Sequence, residues 1–183
     1  RTPHWLDACP DSRALLEAIA TALESEGAEI SEIEIGPPDG ALTEAQKTVM
    51  AFETARARAF EFETHRDELS DAFRTLVEEG LAVDFASYQS ALDLATVWSG
   101  RLDAVFADVD FLLAPSAPGE APEGLAKTGD PLFSRMWNVL RVPLITLPAG
   151  VGPNGLPLGI QLIGALGGDD RLIRDADWVW ARL

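Results

Sequence analysis

Residues 108–164 read DVDFLLAPSAPGEAPEGLAKTGDPLFSRMWNVLRVPLITLPAGVGPNGLPLGIQLIG, and this stretch decides the fold. DFLLAPSAP is a short apolar run closed by prolines, a length that suits a buried strand rather than a helix. Residues 116–130 form a Pro/Gly-rich loop, too long and too rich in turn residues to be mere connection. Pro131 suits the first turn of a helix that reaches about Leu140. VPLITLPAG is then a second buried strand, and the Asn154-Gly155 turn joins it to LGIQLIG as a hairpin.

Outward from this block, the chain alternates in the same style. Leu15, Leu16, Ile19, Ala20 and Leu23 recur at helical spacing, so a helix is expected over 11–26, capped by Asp11 or Ser12 and stopped by Gly27. AEISEIEIGPP, with Ile30, Ile33 and Ile35 between glutamates, reads as a strand ended by Gly36-Pro37-Pro38. Thr43 with Gln46 has the spacing of a capping box and opens a long helix through Val49, Phe52, Ala55, Ala59 and Phe60. A shorter helix over 70–79 ends at Gly80. Phe85, Tyr88, Leu92, Ala95, Ser99, Leu102 and Phe106 lay one stripe along a helix over 84–107 capped by Asp84. Asp169 or Asp170 caps a last helix through Leu183. There is no internal repeat and no linker, so residues 1–183 are one region. The fold class is α/β, a mixed β-sheet flanked by helices.

Composition narrows the partners. At 183 residues the chain is about one domain, and 47% hydrophobic with 24% charged residues is an ordinary packed-protein balance. Fourteen Lys and Arg against 30 Asp and Glu give a net charge of −16, which opposes binding to nucleic acid or to an anionic membrane surface. One cysteine cannot build a disulfide framework or a thiolate zinc cage. No basic-then-apolar leader opens the chain, and the expected compartment is cytoplasmic.

The usual catalytic patterns are missing. There is no G-x-S-x-G, no S-x-x-K and no paired serines in a glycine-rich loop. Cys9 reads as a packed thiol. His4 and His65 lie outside H-x-x-x-H or H-E-x-x-H spacing and read as surface or capping residues, so no metal site is expected. GIQLIGALGGDD departs from G-x-G-x-x-G, and Asp169 and Asp170 would repel a phosphate, which favours a helix cap. EFETHRDELSD reads as a solvated acidic face. Trp98, Trp178 and Trp180 are expected in packing. Trp137 follows the long loop and is the aromatic expected to border a pocket.

LLAPSAP, TGDPLFSRMW, VPLITLPAG and GLPLGIQLIG together resemble the C-terminal part of amidase-signature enzymes. Those commonly read T-P-T-A-P, T-G-D-P-x-F-N-R-x-W, G-x-P-x-x-x-x-P-x-G and G-L-P-x-G-x-Q-L-x-G. RTPHW and FETARARAFEFETHRDEL resemble the middle of such enzymes, so the resemblance covers nearly the whole chain. Ser116, Ser134 and Val142 stand where Thr, Asn and Gly are common.

The resemblance implies the C-terminal part of the amidase-signature fold, about two-fifths of an amidase. In the family a Lys and two Ser carry the chemistry from a Gly/Ser-rich segment of the N-terminal half. The only lysines here, Lys47 and Lys127, lie outside any such context, so no catalytic residue is assigned. What is implied is a hydrolase of carboxamides by an acyl-enzyme route, without metal or organic cofactor. This chain would supply scaffold and a substrate-pocket wall, with Trp137, Asn138, Thr128 and Asp130 as the wall residues. RTPHW would begin within a strand-to-helix passage. The implied partners are a small amide substrate and the N-terminal half, and apolar surface left by an absent half would favour a homo-oligomer. The alternative is a non-catalytic binding or interaction module on the same scaffold.

Overall fold

The structure is a computed structural model that describes residues 1–125 and 127–183. In chain order its elements are α1 (Pro10–Ser25), α2 (Ala41–Ala57), α3 (Ala59–Thr64), α4 (Asp71–Ala82), α5 (Phe85–Val105), β1 (Leu112–Pro115), α6 (Leu132–Leu140), β2 (Leu144–Val151), β3 (Pro157–Ile163) and α7 (Asp169–Trp180). Single 3-10 turns lie at Trp5–Asp7 and Arg66–Glu68.

The expected hairpin forms: β2 pairs antiparallel with β3, and Gly155 takes the positive φ (83°) that its turn demands. β1 adds to the other side of β3 with Leu112 opposite Ile163, giving the order β1-β3-β2. β3 is thus antiparallel to both of its neighbours. Alternation along the central strand then sorts the two cores. Ile160 and Leu162 face Leu16, Ile19 and Leu23 of α1 and Leu172, Ala176 and Val179 of α7. Ile163 faces the opposite way, into Met136, Trp137 and Leu140 of α6, Leu102 of α5 and Leu42 of α2. Helices therefore cover both faces of the sheet, and β3 from Leu158 to Ile163 is apolar except for Gln161 because it is covered on both sides. A third cluster of Ala55, Phe62 and Val77 joins α2, α3 and α4 away from the sheet.

Several local expectations are corrected. Residues 28–35 do not form a strand. Ala28 N closes the end of α1 on Leu23 O at 3.0 Å, and further along Arg1 N donates to Ile33 O and Ile35 N donates to Arg1 O at 2.9 Å, the pattern of one parallel bridge. Their isoleucines are also out of phase. Ile33 and Ile35 pack on the α6 core while Ile30 stays 44% exposed. The cap of α1 is the Cys9 side chain, which accepts from Ser12 N at 3.4 Å and stands ahead of the expected Asp11 or Ser12. The Thr43–Gln46 pair makes no capping box, because α2 starts from Gly40 in the left-handed region and the Thr43 hydroxyl is engaged elsewhere. The second helix breaks at Arg58 instead of running through Phe60. α4 continues through Gly80 to Ala82, since that glycine is a contact point and not a stop. α7 has Gly168 at its N-cap and ends at Trp180, which is exposed rather than packed.

The α5 expectation holds closely. Asp84 accepts from Ser87 N at 2.7 Å, and hydrogen bonds from Ser87 hold its carboxyl below its ordinary range although solvent reaches it. Because the folded pKa is depressed, the capping contribution is complete at neutral pH and disappears as pH falls through that folded value. Far-ultraviolet circular dichroism of Asp84→Asn should show a shallower acid transition than the parent. Identical acid limbs would mean that the cap carries no linkage.

Candidate functional site

The 116–131 loop leaves β1 and enters α6, and the central strand holds both of its feet. Gln161, 1% exposed, points to the α6 side and donates from Nε2 to Pro115 O at 3.0 Å and to Phe133 O at 2.8 Å. One buried amide thus ties the last residue of β1 to the first turn of α6. Ser116 N donates to Gly159 O at 3.3 Å, and Cys9 N donates to Pro118 O at 2.6 Å, which seats the first part of the loop on β3 and on the start of α1.

Glu120 fixes the next point. Its carboxylate accepts from Leu156 N at 2.9 Å, Asn154 Nδ2 at 2.6 Å and Asn154 N at 3.0 and 3.2 Å. Desolvation pushes this carboxyl upward, but the bonds from Leu156 and Asn154 outweigh it and leave the group below its usual range. Access requires a glycine opposite, because a Cβ on Gly152 would lie 2.5 Å from Glu120 Cδ and Cγ. Beyond Glu120 the described loop residues 121–125 and 127–130 are exposed.

The predicted wall residues are placed as follows. Thr128 and Asp130 are on the exposed part of the loop, with Asp130 Oδ1 4.0 Å from Arg135 Nε. Arg135 also donates to Gln46 Oε1 at 2.9 Å, so the end of the loop is linked to α2. Asn138 is exposed on α6 and its amide returns to Ser134 O at 3.0 Å. Trp137, 2% exposed, lies in the core between α6 and the sheet, and its indole Nε1–H is buried with no hydrogen-bond partner among the described residues. Buried donors of that kind are rare and expensive, since an unmade bond costs about 1–3 kcal/mol. Asp130 and Asn138 thus flank Trp137 on one short segment, while its ring points inward.

A second constellation escaped sequence reasoning because His4 and Thr43 lie 39 residues apart in the chain. His4 Nε2 is 2.8 Å from Thr43 Oγ1 and His4 Nδ1 is 3.0 Å from Asp7 Oδ2, the order of a hydroxyl–imidazole–carboxylate relay. Thr43, however, is only 4% exposed, under a shallow recess lined by Pro3, Gly36, Pro37 and Met136. No acyl carbon can reach that hydroxyl. The three side chains tie the N-terminal turn to the start of α2. A separate small cavity lies between Phe106, Asp110, Gly168 and Arg171. Beside Arg171, Asp175 has its carboxyl raised by burial, with Arg171 opposing and Asp110 adding to the rise. Among the described residues no three His, Cys, Asp or Glu side chains gather as metal ligands, and no helix is long and apolar enough to cross a membrane.

Comparison with known proteins places this arrangement. Residues 1–173 match the model of the Amidase family. The putative amidase AmiD of Mycobacterium tuberculosis (strain CDC 1551 / Oshkosh) is 33% identical over 136 residues, covering 68% of this chain and 28% of that protein. A glutamyl-tRNA(Gln) amidotransferase subunit of Synechococcus sp. (strain CC9605) is 29% identical over an alignment of 201 residues, covering 91% of this chain and 40% of that protein. Among solved structures, an amidase superposes with a TM-score of 0.84 at 24% identity, over 97% of this chain and 43% of that one. A 6-aminohexanoate cyclic dimer hydrolase bound to substrate gives 0.76 at 21% identity, over 96% of this chain and 42% of the hydrolase. These two likenesses show the fold. The chain spans less than half the length of each of these relatives.

Proposed function

The chain belongs to the amidase family, and from that premise we propose that it forms the scaffold and one substrate-facing wall of an enzyme that hydrolyses a small carboxamide by an acyl-enzyme route. The observation that carries this is the family match over residues 1–173, on a fold whose loop feet, hairpin and α6 are internally tied. The nucleophile and base belong to the rest of such an enzyme, which is the partner we assign to this chain; neither metal nor organic cofactor enters. A single free Cys9 suits a reducing, cytoplasmic setting.

The wall is the segment from Thr128 to Asn138. Thr128 and Asp130 offer a hydroxyl and a carboxylate from the exposed loop, Asn138 an amide from α6, and Trp137 a buried N–H that lacks an acceptor among the described residues. At 2% exposure that donor lies beneath the surface, so its acceptor would come from the rest of the enzyme packed against α6, and Trp137 backs the wall from within. The other surfaces do less for the reading, since the His4 relay admits no substrate.

Two measurements test it. The 183-residue chain alone should release no ammonia or amine from acetamide, benzamide or a nitroanilide above a buffer control, whereas the complete enzyme should hydrolyse at least one of them. Hydrolysis by this chain alone that disappears on substituting one of its own residues would overturn the proposal. In the complete enzyme, Trp137→Phe keeps most of the ring volume and removes the N–H. It should change kcat/KM for aliphatic and aromatic amides unequally, by about three- to tenfold for the more affected class. Equal scaling across all substrates would remove Trp137 from the wall.

A further inference from the structure

We propose that Glu120 is a positioning residue: its carboxylate latches the 116–130 loop onto the β2–β3 turn and so holds the Thr128–Asp130 segment against the substrate. This rests on the proposed amidase function for its enzymatic consequence, and on geometry for the latch itself. Three N–H donors from a turn 34 to 36 residues away converge on one side chain. The opposite residue is the one that must lack a Cβ to let that side chain in.

The chemistry selects a carboxylate. Asn154 N, Asn154 Nδ2 and Leu156 N are all donors, and an ionised carboxyl offers acceptors only. A glutamine would have to turn its own NH2 toward one of these donors. An alanine would leave the turn without its acceptor. Among the described residues, the next polar side-chain tie downstream of Glu120 is the Asp130–Arg135 contact, itself long at 4.0 Å, so the described exposed residues between them take their position from the latch and from α6. Gly124 and Gly129 both have positive φ, which lets that stretch turn twice within a few residues. The depressed carboxyl gives the sign of the pH dependence. The latch is complete above the ordinary glutamate range and is released as pH falls through the lower, folded value.

Two variants separate the latch from the bare presence of a charge. Glu120→Gln removes the charge at constant size, while Gly152→Ala keeps the charge and drives the carboxylate away from the turn. In the complete enzyme, both should speed hydrogen exchange across residues 117–130 and at the Asn154 and Leu156 amides. Both should also raise KM on the order of tenfold with kcat within about twofold, because a displaced wall costs substrate positioning. Asn154→Ala, which loses only the Nδ2 donor, should fall between them and the parent. If loop exchange stays at the parental level in Glu120→Gln and Gly152→Ala, there is no latch and the proposal fails. If exchange rises but KM and kcat do not move, Glu120 only ties the turn and its positioning role fails. If the parent enzyme hydrolyses no amide, the functional reading fails instead, and exchange alone decides the latch.

Discussion

Gly80→Ala should destabilise the protein by roughly 2–4 kcal/mol, a fall in Tm on the order of 10 °C, although it replaces glycine inside a helix. Helix propensity alone predicts the opposite sign, a gain of about 1 kcal/mol. The tertiary contact decides. A Cβ at Gly80 would stand 1.9 Å from Ala51 O, 2.5 Å from Ala51 C and 2.8 Å from Ala55 Cβ. Two of those atoms are backbone of α2 and cannot swing aside, so α4 must lift off α2 and open the packing around Ala55, Phe62 and Val77. Gly100, on the exposed side of α5, is the control. A Cβ there meets nothing within 4 Å, so Gly100→Ala should raise stability by about 0.5–1 kcal/mol. Thermal melts of the two variants should therefore move in opposite directions. If Gly80→Ala melts at or above the parent temperature, α2 and α4 are not in the contact described.

Gln161→Leu should cost about 2–4 kcal/mol while leaving side-chain volume nearly unchanged. The two carbonyls that share the Gln161 amide, Pro115 O and Phe133 O, would each face an apolar group in a site that is 1% exposed. Leaving Pro115 O unpaired costs about 1–3 kcal/mol, and Phe133 O, which lies inside α6, loses a second bond worth about 1 kcal/mol, against which an extra apolar contact returns little in a site shaped for an amide. Local behaviour should change more than global stability. With both feet of the loop released, proteolytic nicking within 121–130 should rise well ahead of unfolding. Urea denaturation gives the size of the effect through Cm, and limited proteolysis gives its place. A parental Cm together with parental nicking would show that the two bonds to Gln161 carry no net stability.

The features legible in the sequence were those written in consecutive residues. The α5 stripe with its Asp84 cap, the Asn154-Gly155 hairpin and the apolar run of β3 all depend on spacing within one element or one turn. The family resemblance was legible for the same reason, since its motifs are compact blocks around prolines and glycines, and the match over residues 1–173 bears it out. Local spacing misled where a residue had a distant employer. Thr43 has capping-box spacing, but His4 takes its hydroxyl. Gly80 looks like a helix terminator, yet α2 passes so close that only glycine fits. The glutamate-separated isoleucines of 28–35 suggest a strand, and the segment lacks the neighbouring strands that would make it one.

For the candidate site, the sequence could nominate the loop and Trp137 through turn content and aromatic placement. It could not show that the Trp137 ring turns into the core, that Glu120 of the loop reaches a turn 34 to 36 residues on, or that Gln161 holds the loop's two feet from 46 and 28 residues away. By itself the sequence determined the family, the helix and hairpin segments and the acidic surface, because periodicity, turn chemistry and charge are properties of neighbouring residues. Only the tertiary structure decided which glycines are contact points, which glutamate is a latch and which glutamine joins strand to helix. Those roles depend on donors, acceptors and free volume that the fold assembles from far along the chain, and such pairings leave no local pattern to read.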